Sequence, residues 1–435
     1  MFRQLLCTLA IAVFTSPLLF SADWLSFRGP NGDGRSPDTG LQQQWAPGGP
    51  KLLWTADFIG FGYSGVSVSD NRIYTTGNVG DLSMVFCLDM DGNKIWANDN
   101  GPAAHVAATV WPPARTYPGT RGNPTVAGEF VFDISAVGNV AAFDARTGRK
   151  IWSRNLQRDY NTDLPFWLFG HSVIVDGDNV ISLVGGPTIA IAMNKRTGET
   201  VWEAAPVTSA ALIHAERNPT GRASASYTTP YLFEFEGIRV VVVMSNVSVE
   251  GLDPATGRTL FSIPWTNERN VHCTMPIYHN GHLFLSTGYN GGTARLFRLT
   301  KNADGTITAT QQWVNERFNN HHGGVVLVGG HVYGTNHVGD WVSINFMTGE
   351  VGYVTRSSIA RKGSVTYADG LLYGLTEADR TVLLIRPVPN EFVLVSHFEL
   401  PNDAEGPSWA HPVIIGGKMY LRHGRYLYCY DVRAE

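Results

Sequence analysis

Charge is scarce in this chain. Of its 435 residues, 16% are Asp, Glu, Lys or Arg, and they sum to −4 at pH 7. Lys and Arg form no cluster, which excludes the basic face that nucleic acid requires. Cysteine is scarcer still, with four residues: Cys7, Cys87, Cys273 and Cys429. No two are adjacent and no CxxC occurs, so no disulfide framework is expected. They read as small buried hydrophobes. Long apolar runs are missing beyond the N-terminus, so no transmembrane span is expected. Catalytic signatures are missing too: the chain has no GxSxG, no HExxH, no Walker loop and no Rossmann fingerprint after a strand. The "NGDG" at Asn31 to Gly34 lacks the carboxylate spacing and closing Glu of a calcium loop and reads as a turn.

Glycine and aromatic residues are plentiful. The 47 glycines and 23 prolines are spread along the chain, and 43% of residues are hydrophobic. Low charge, regular punctuation and many aromatic rings together indicate an all-β architecture with many turns. The length suffices to bury a large core without a metal or disulfide staple. At the N-terminus, Arg3 precedes a mostly apolar run from Leu5 to Phe20, followed by the small Ser21 and Ala22. Residues 1–22 therefore read as an export signal. The run is shorter than the ~20 residues of a spanning helix and is broken by Pro17.

The rest of the chain repeats itself. "CLDMDGNKIW" begins at Cys87, "AFDARTGRKIW" at Ala142, "AMNKRTGETVW" at Ala192, "GLDPATGRTLF" at Gly251 and "SINFMTGEVGY" at Ser343, with a half-copy "CYDV" at Cys429. Weaker copies lie at Leu296 to Trp313 and at Leu383 to Phe398. Each is preceded by two short apolar runs around a Gly, Asp or Asn turn, as in "SVSDNRIYTTG". Counting these gives eight units of four strands, the period and content of propeller blades. Within each unit the Asp or Asn is expected to bond turn amides. The Gly of "TG" should take positive φ. The outer-strand Trp should bury its face against the next blade, and a small residue on the facing strand should make room for it.

Closure is legible as well. The last unit ends at "YCYDVRAE" without its outermost strand, while Gly49 to Phe58 holds an orphan outer strand with Trp54. The N-terminal strand is therefore expected to complete the last blade and remove its exposed edge. Residues 23–50 form a lead segment before residues 51–435 of the propeller. Loss of Asp23 to Pro47 is expected to cost far less than loss of Lys51 to Phe58.

These copies resemble the pyrroloquinoline-quinone-type propeller repeat, "AxDxxTGxxxW", over nearly all of residues 51–435. The lead "WLSFRGPNGDGRSPDTGL" is similar to that of exported bacterial members. The resemblance implies an eight-bladed β-propeller in a periplasmic or secreted protein. One branch of the family comprises quinone-dependent alcohol and sugar dehydrogenases. They typically sandwich the quinone between a Trp and a disulfide of adjacent cysteines, and hold Ca²⁺ with Glu, Asn and Asp. The other comprises non-catalytic propellers, such as the scaffold lipoprotein of the outer-membrane β-barrel assembly machinery. This chain lacks the adjacent cysteines and any acidic cluster at the blade starts, and it lacks a lipoprotein Cys after its signal. The leading expectation is a non-catalytic binding or scaffold protein, monomeric, with a protein, small anionic or glycan ligand and no assigned cofactor. The alternative is a divergent dehydrogenase using quinone with Ca²⁺.

A site is expected where the segments leading into the innermost strands surround one mouth of the channel. The candidate ligand-binding residues there are Tyr63, Arg121, Asn123, Trp167, His171, Tyr227, His272, His322, Lys362, Trp409 and His411. Such a ring of aromatic and cationic groups suits stacking and charge-assisted bonds. Four of these, His171, His272, His322 and His411, are far apart in sequence and could converge, although a metal site needs three or more on one ion. The adjacent His321 and His322 are expected to point to opposite faces of a strand. Two long loops, Gly101 to Gly122 and Pro206 to Ser226, should cover the mouth and bring Arg115, Arg121 and His105, and His214, Arg217 and Arg222.

Overall fold

The repeated units become eight antiparallel sheets arranged around one axis. The computed structural model describes residues 23–107, 116–207, 223–401 and 406–434. Residues 1–22, read as an export signal, lie outside these residues, as do Arg115, His214, Arg217 and Arg222 of the two long loops. Blade 1 consists of Ser67–Ser69, Arg72–Val79, Leu82–Leu88 and Lys94–Pro102, paired in that order from the axis outward. Blades 2 to 7 repeat this meander over residues 125–155, 174–204, 231–264, 277–315, 325–355 and 363–399. Blade 3 has one addition: Ala223–Ser224 at the end of a long loop pairs with Gly185 and Gly186.

Blade 8 is closed as expected. Val413–Ile415, Lys418–His423 and Tyr426–Asp431 take Lys51–Ala56 as their fourth strand, antiparallel to Tyr426–Asp431. The ring is thus joined by hydrogen bonds between the two ends of the chain. At the axis, inner-strand hydroxyls tie several blades to the next. Ser67 donates to the Pro124 carbonyl at 2.6 Å, Thr125 to Val173 at 2.6 Å and Thr366 to Pro412 at 2.7 Å.

The repeat residues do the work their chemistry suggests. Asp144 Oδ1 accepts from the amides of Arg146 and Thr147 at 3.1 and 2.7 Å, and Asp89, Asn194, Asp253 and Asn345 act likewise. Each outer-strand Trp then crosses to the following blade. The Trp96 indole N–H donates to the Ala145 carbonyl, Trp152 to Lys195 and Trp202 to Pro254, each at 3.0 Å. Trp54 repeats this across the closure, donating to Met90. The glycine has two reasons to be glycine. Gly148 has φ +74°, and a Cβ there would sit 2.5 Å from the Trp96 ring. In five blades the residue facing the large ring is small: Cys87 pairs with Trp96, Ala142 with Trp152, Ala192 with Trp202, Gly251 with Phe261 and Cys429 with Trp54, whereas in blade 5 Trp313 faces Leu296. Cys87 and Cys429 are buried equivalents in neighbouring blades.

The lead segment departs from expectation. It is not an appendage but a crossing of the channel. Trp24 bridges Val68 in blade 1, and the Leu25 carbonyl accepts from Val126 in blade 2. Gly32 lies against Tyr231 of blade 4 and Met275 before blade 5. The Arg28 guanidinium bonds the carbonyls of Val325 in blade 6 and Val365 in blade 7, and Arg35 bridges Tyr367. The chain then leaves the axis along blades 7 and 8, where Leu41 and Trp45 join their core. Trp24, Arg28, Leu41 and Trp45 are all buried. The "NGDG" within it is a turn, as expected.

Candidate functional site

Because the chain enters every inner strand from the same end of the ring, the segments before those strands meet there. The turns between second and third strands lie at that end too. Together with Phe27 of the lead segment, they enclose a cavity of about 270 Å³. Phe27 packs edge-on against His411 at 5.0 Å and forms part of the floor.

Eight of the predicted residues line this cavity: Tyr63, Arg121, Asn123, Trp167, Tyr227, His322, Trp409 and His411. His171 and His272 do not. Successive residues of an extended segment face opposite ways, and here Gly170 and Ser172 face the cavity while His171 turns into its blade, 3.0 Å from Ser182 Oγ. Similarly Val271 and Cys273 face inward, and His272 bonds Thr287 Oγ1 at 2.8 Å. Burial pushes His171 down to about 3 and His272 down to about 4, so both are neutral at pH 7. Cys273 was read as a core residue and instead lines the cavity. Lys362 stands behind the wall, 3.0 Å from His321 Nδ1 and 3.3 Å from Glu377 Oε2. The four histidines His171, His272, His322 and His411 do not converge. His321 and His322 both line the cavity, because the chain bends there rather than running as a strand.

The sequence reading missed Tyr117, Tyr289, His337 and Glu377. The last three lie in turns between second and third strands, which the search for segments preceding inner strands did not cover. Tyr117 lies in the loop that was expected to cover the mouth.

One wall is aromatic. Trp409 lies 4.6 Å from Tyr63 and 5.0 Å from Tyr117 between ring centroids, and Tyr117 lies 6.0 Å from Trp167. These are direct ring contacts, so the wall is continuous and offers one face to a ligand. Arg121 sits beside it, 5.9 Å over the Tyr63 ring. Its guanidinium donates to the Tyr117 carbonyl at 2.7 Å and the Gly119 carbonyl at 3.4 Å. Burial pushes it down to about 10, which leaves it charged at pH 7.

A polar cluster adjoins that wall. Glu377 Oε1 accepts from the Trp409 indole at 2.9 Å and lies 3.1 Å from His322 Nε2. Burial alone would raise this carboxyl. The bond and charge of His322, the charge of Lys362 and the Trp409 indole outweigh burial and hold it well below the usual carboxylate range. His321 packs against Tyr289, His322 and His337 with ring centroids 4.7, 4.7 and 5.1 Å away. Desolvation pushes all three imidazoles down, and Lys362 adds to it.

This donor set does not fit a Ca²⁺-bound quinone. Among the described lining residues Glu377 is the one carboxylate, and it is committed to Lys362, His322 and Trp409. A hard cation needs several oxygens together. The aromatic rings touch one another and leave no slot for a flat group between them. Cys273 has no cysteine partner with which to form one face of a sandwich. Among the described residues no helix is long and apolar enough to cross a membrane.

No curated protein matches the sequence. Among solved structures, BamB from Moraxella catarrhalis superposes with a TM-score of 0.57 at 13% identity, covering 88% of this chain and 98% of its own. The quinohemoprotein alcohol dehydrogenase from Comamonas testosteroni gives 0.62 at 11% identity, covering 95% and 81%. The quinohemoprotein alcohol dehydrogenase ADHIIG from Pseudomonas putida HK5 gives 0.63 at 14% identity, with the same coverage. At these identities the likeness is one of fold. The family model described as outer membrane protein assembly factor BamB matches residues 45–204 and 136–388, which together span most of the chain. The chain belongs to this family of PQQ-type β-propellers.

Proposed function

We propose that the protein is an exported, non-catalytic binding propeller whose axial cavity holds a small ligand. The observation that carries this reading is the floor of the cavity. The lead segment crosses between inner strands and sets Phe27 against His411 in the cavity lining, at the hub of eight blades. Its volume of about 270 Å³ is at the lower end for ligand pockets, which run ~300–1,000 Å³. That suits a single small molecule rather than a threaded polymer. Export is supported by the apolar N-terminus and by the family. A protein partner would meet the rim, as a scaffold role would require, while the ligand occupies the cavity. A glycan reading draws on the Tyr63 and Trp409 wall, and a glycan array separates it from a scaffold, which gives no glycan signal.

The test against catalysis is direct. The purified protein is given quinone and Ca²⁺, and dye-linked oxidation of alcohols and sugars is followed. No turnover above the protein-free control is expected. Robust turnover sinks the reading in favour of a quinone-dependent dehydrogenase.

A further inference from the structure

We propose that the cavity's ligand is a ring compound carrying one carboxylate, and that Arg121 receives that carboxylate. The inference rests on the reading that the cavity binds a small molecule, and it names the chemistry of that molecule.

The argument begins with charge. Lys362 and Glu377 cancel across 3.3 Å, and burial pushes the imidazoles of the wall down. Arg121 has no such partner: among the described residues no carboxylate pairs with it, and its contacts are two backbone carbonyls and the Tyr63 ring. Behind the lining, Lys362 is matched by Glu377, and Arg28, which reaches His411 at 3.0 Å, stands near Asp33; in the lining itself Arg121 is left uncompensated. A half-buried cation bonded only to neutral groups favours an incoming anion, since such pairs strengthen as water is excluded. A guanidinium has five N–H donors in a fork, and two are engaged here. The three that remain match the two oxygens of a carboxylate.

The ring follows from the neighbouring wall. Tyr63, Tyr117 and Trp409 present a continuous apolar surface next to the cation. A ligand anchored at Arg121 lies against that surface. The volume leaves room for one ring rather than several fused ones. An aromatic acid and a sugar acid share this chemistry.

Two matched pairs of probes test it on the protein lacking residues 1–22: benzoate with benzyl alcohol, and glucuronate with glucose. Binding is read by calorimetry and by thermal shift. In at least one pair the acid is expected to bind about tenfold to a hundredfold tighter than its neutral partner, the range of one charge-assisted bidentate contact. Arg121→Gln should abolish that preference, and Arg121→Lys, which keeps charge but loses the fork, should retain part of it. The wild-type preference needs no variant, so misfolding of a variant leaves the test intact. Equal affinity for acid and neutral members overturns the charge assignment but leaves the binding reading standing. A preference that survives Arg121→Gln in folded protein overturns the role of Arg121. Failure of all four probes removes both.

Discussion

At the scale of single residues, the same amino acid does different work at different turns. Gly148 and Gly128 both have positive φ, +74° and +59°. At Gly128 a Cβ meets open space, whereas at Gly148 it meets the Trp96 ring. Gly128→Ala should cost about 1 kcal/mol for the left-handed backbone alone. Gly148→Ala adds overpacking, for a total of about 2–4 kcal/mol. Thermal unfolding of the two variants measures the difference, and equal melting temperatures contradict the packing account of the repeat. The cavity shows the same dependence on local geometry. His171 and His272 were read as ligand-facing from their position before an inner strand. Position places a residue at the mouth, but the alternation of the segment decides its direction. That register shifts with one residue and could not be read from a single chain.

At the scale of elements, the two ends of the chain carry unequal signals. The orphan strand at Lys51–Ala56 was legible because a missing strand at one end matched a spare one at the other. The lead segment was not legible. Its contacts are with inner strands of five blades, and with the segment before a sixth, scattered along the sequence, and no repeat or period announces a crossing of the channel. Its burial argues against the expectation that loss of Asp23 to Pro47 costs far less than loss of Lys51 to Phe58. Trp24, Leu41 and Trp45 are each less than 5% exposed. Each such side chain contributes roughly 1.5–3 kcal/mol on burial. Removal also leaves the Val325 and Val365 carbonyls without the Arg28 guanidinium. Against a typical stability of about 5–15 kcal/mol, deletion of residues 23–47 should lower the melting temperature severely or cause aggregation. Deletion of residues 51–58 should do the same by reopening blade 8. A protein without residues 23–47 that melts like the intact one contradicts the account of the plug.

At the scale of the molecule, the fold was almost wholly legible and the site half so. Five good copies of a turn whose Asp or Asn, Gly and large ring each have a mechanical task leave little freedom in the architecture. The cavity lacks such redundancy. Glu377, His337 and Tyr289 each occur once, in turns with no shared pattern, and become neighbours only when the ring closes. The central claim is that this enclosed hub holds a small molecule. Native mass spectrometry of the protein isolated from the cells that export it, beside a Trp409→Ala variant that removes the centre of the aromatic wall, tests it most directly. The account predicts a one-to-one adduct of small-molecule mass on the wild type, lost or much reduced in the variant. A wild type without any adduct, or an adduct equally retained by the variant, contradicts it.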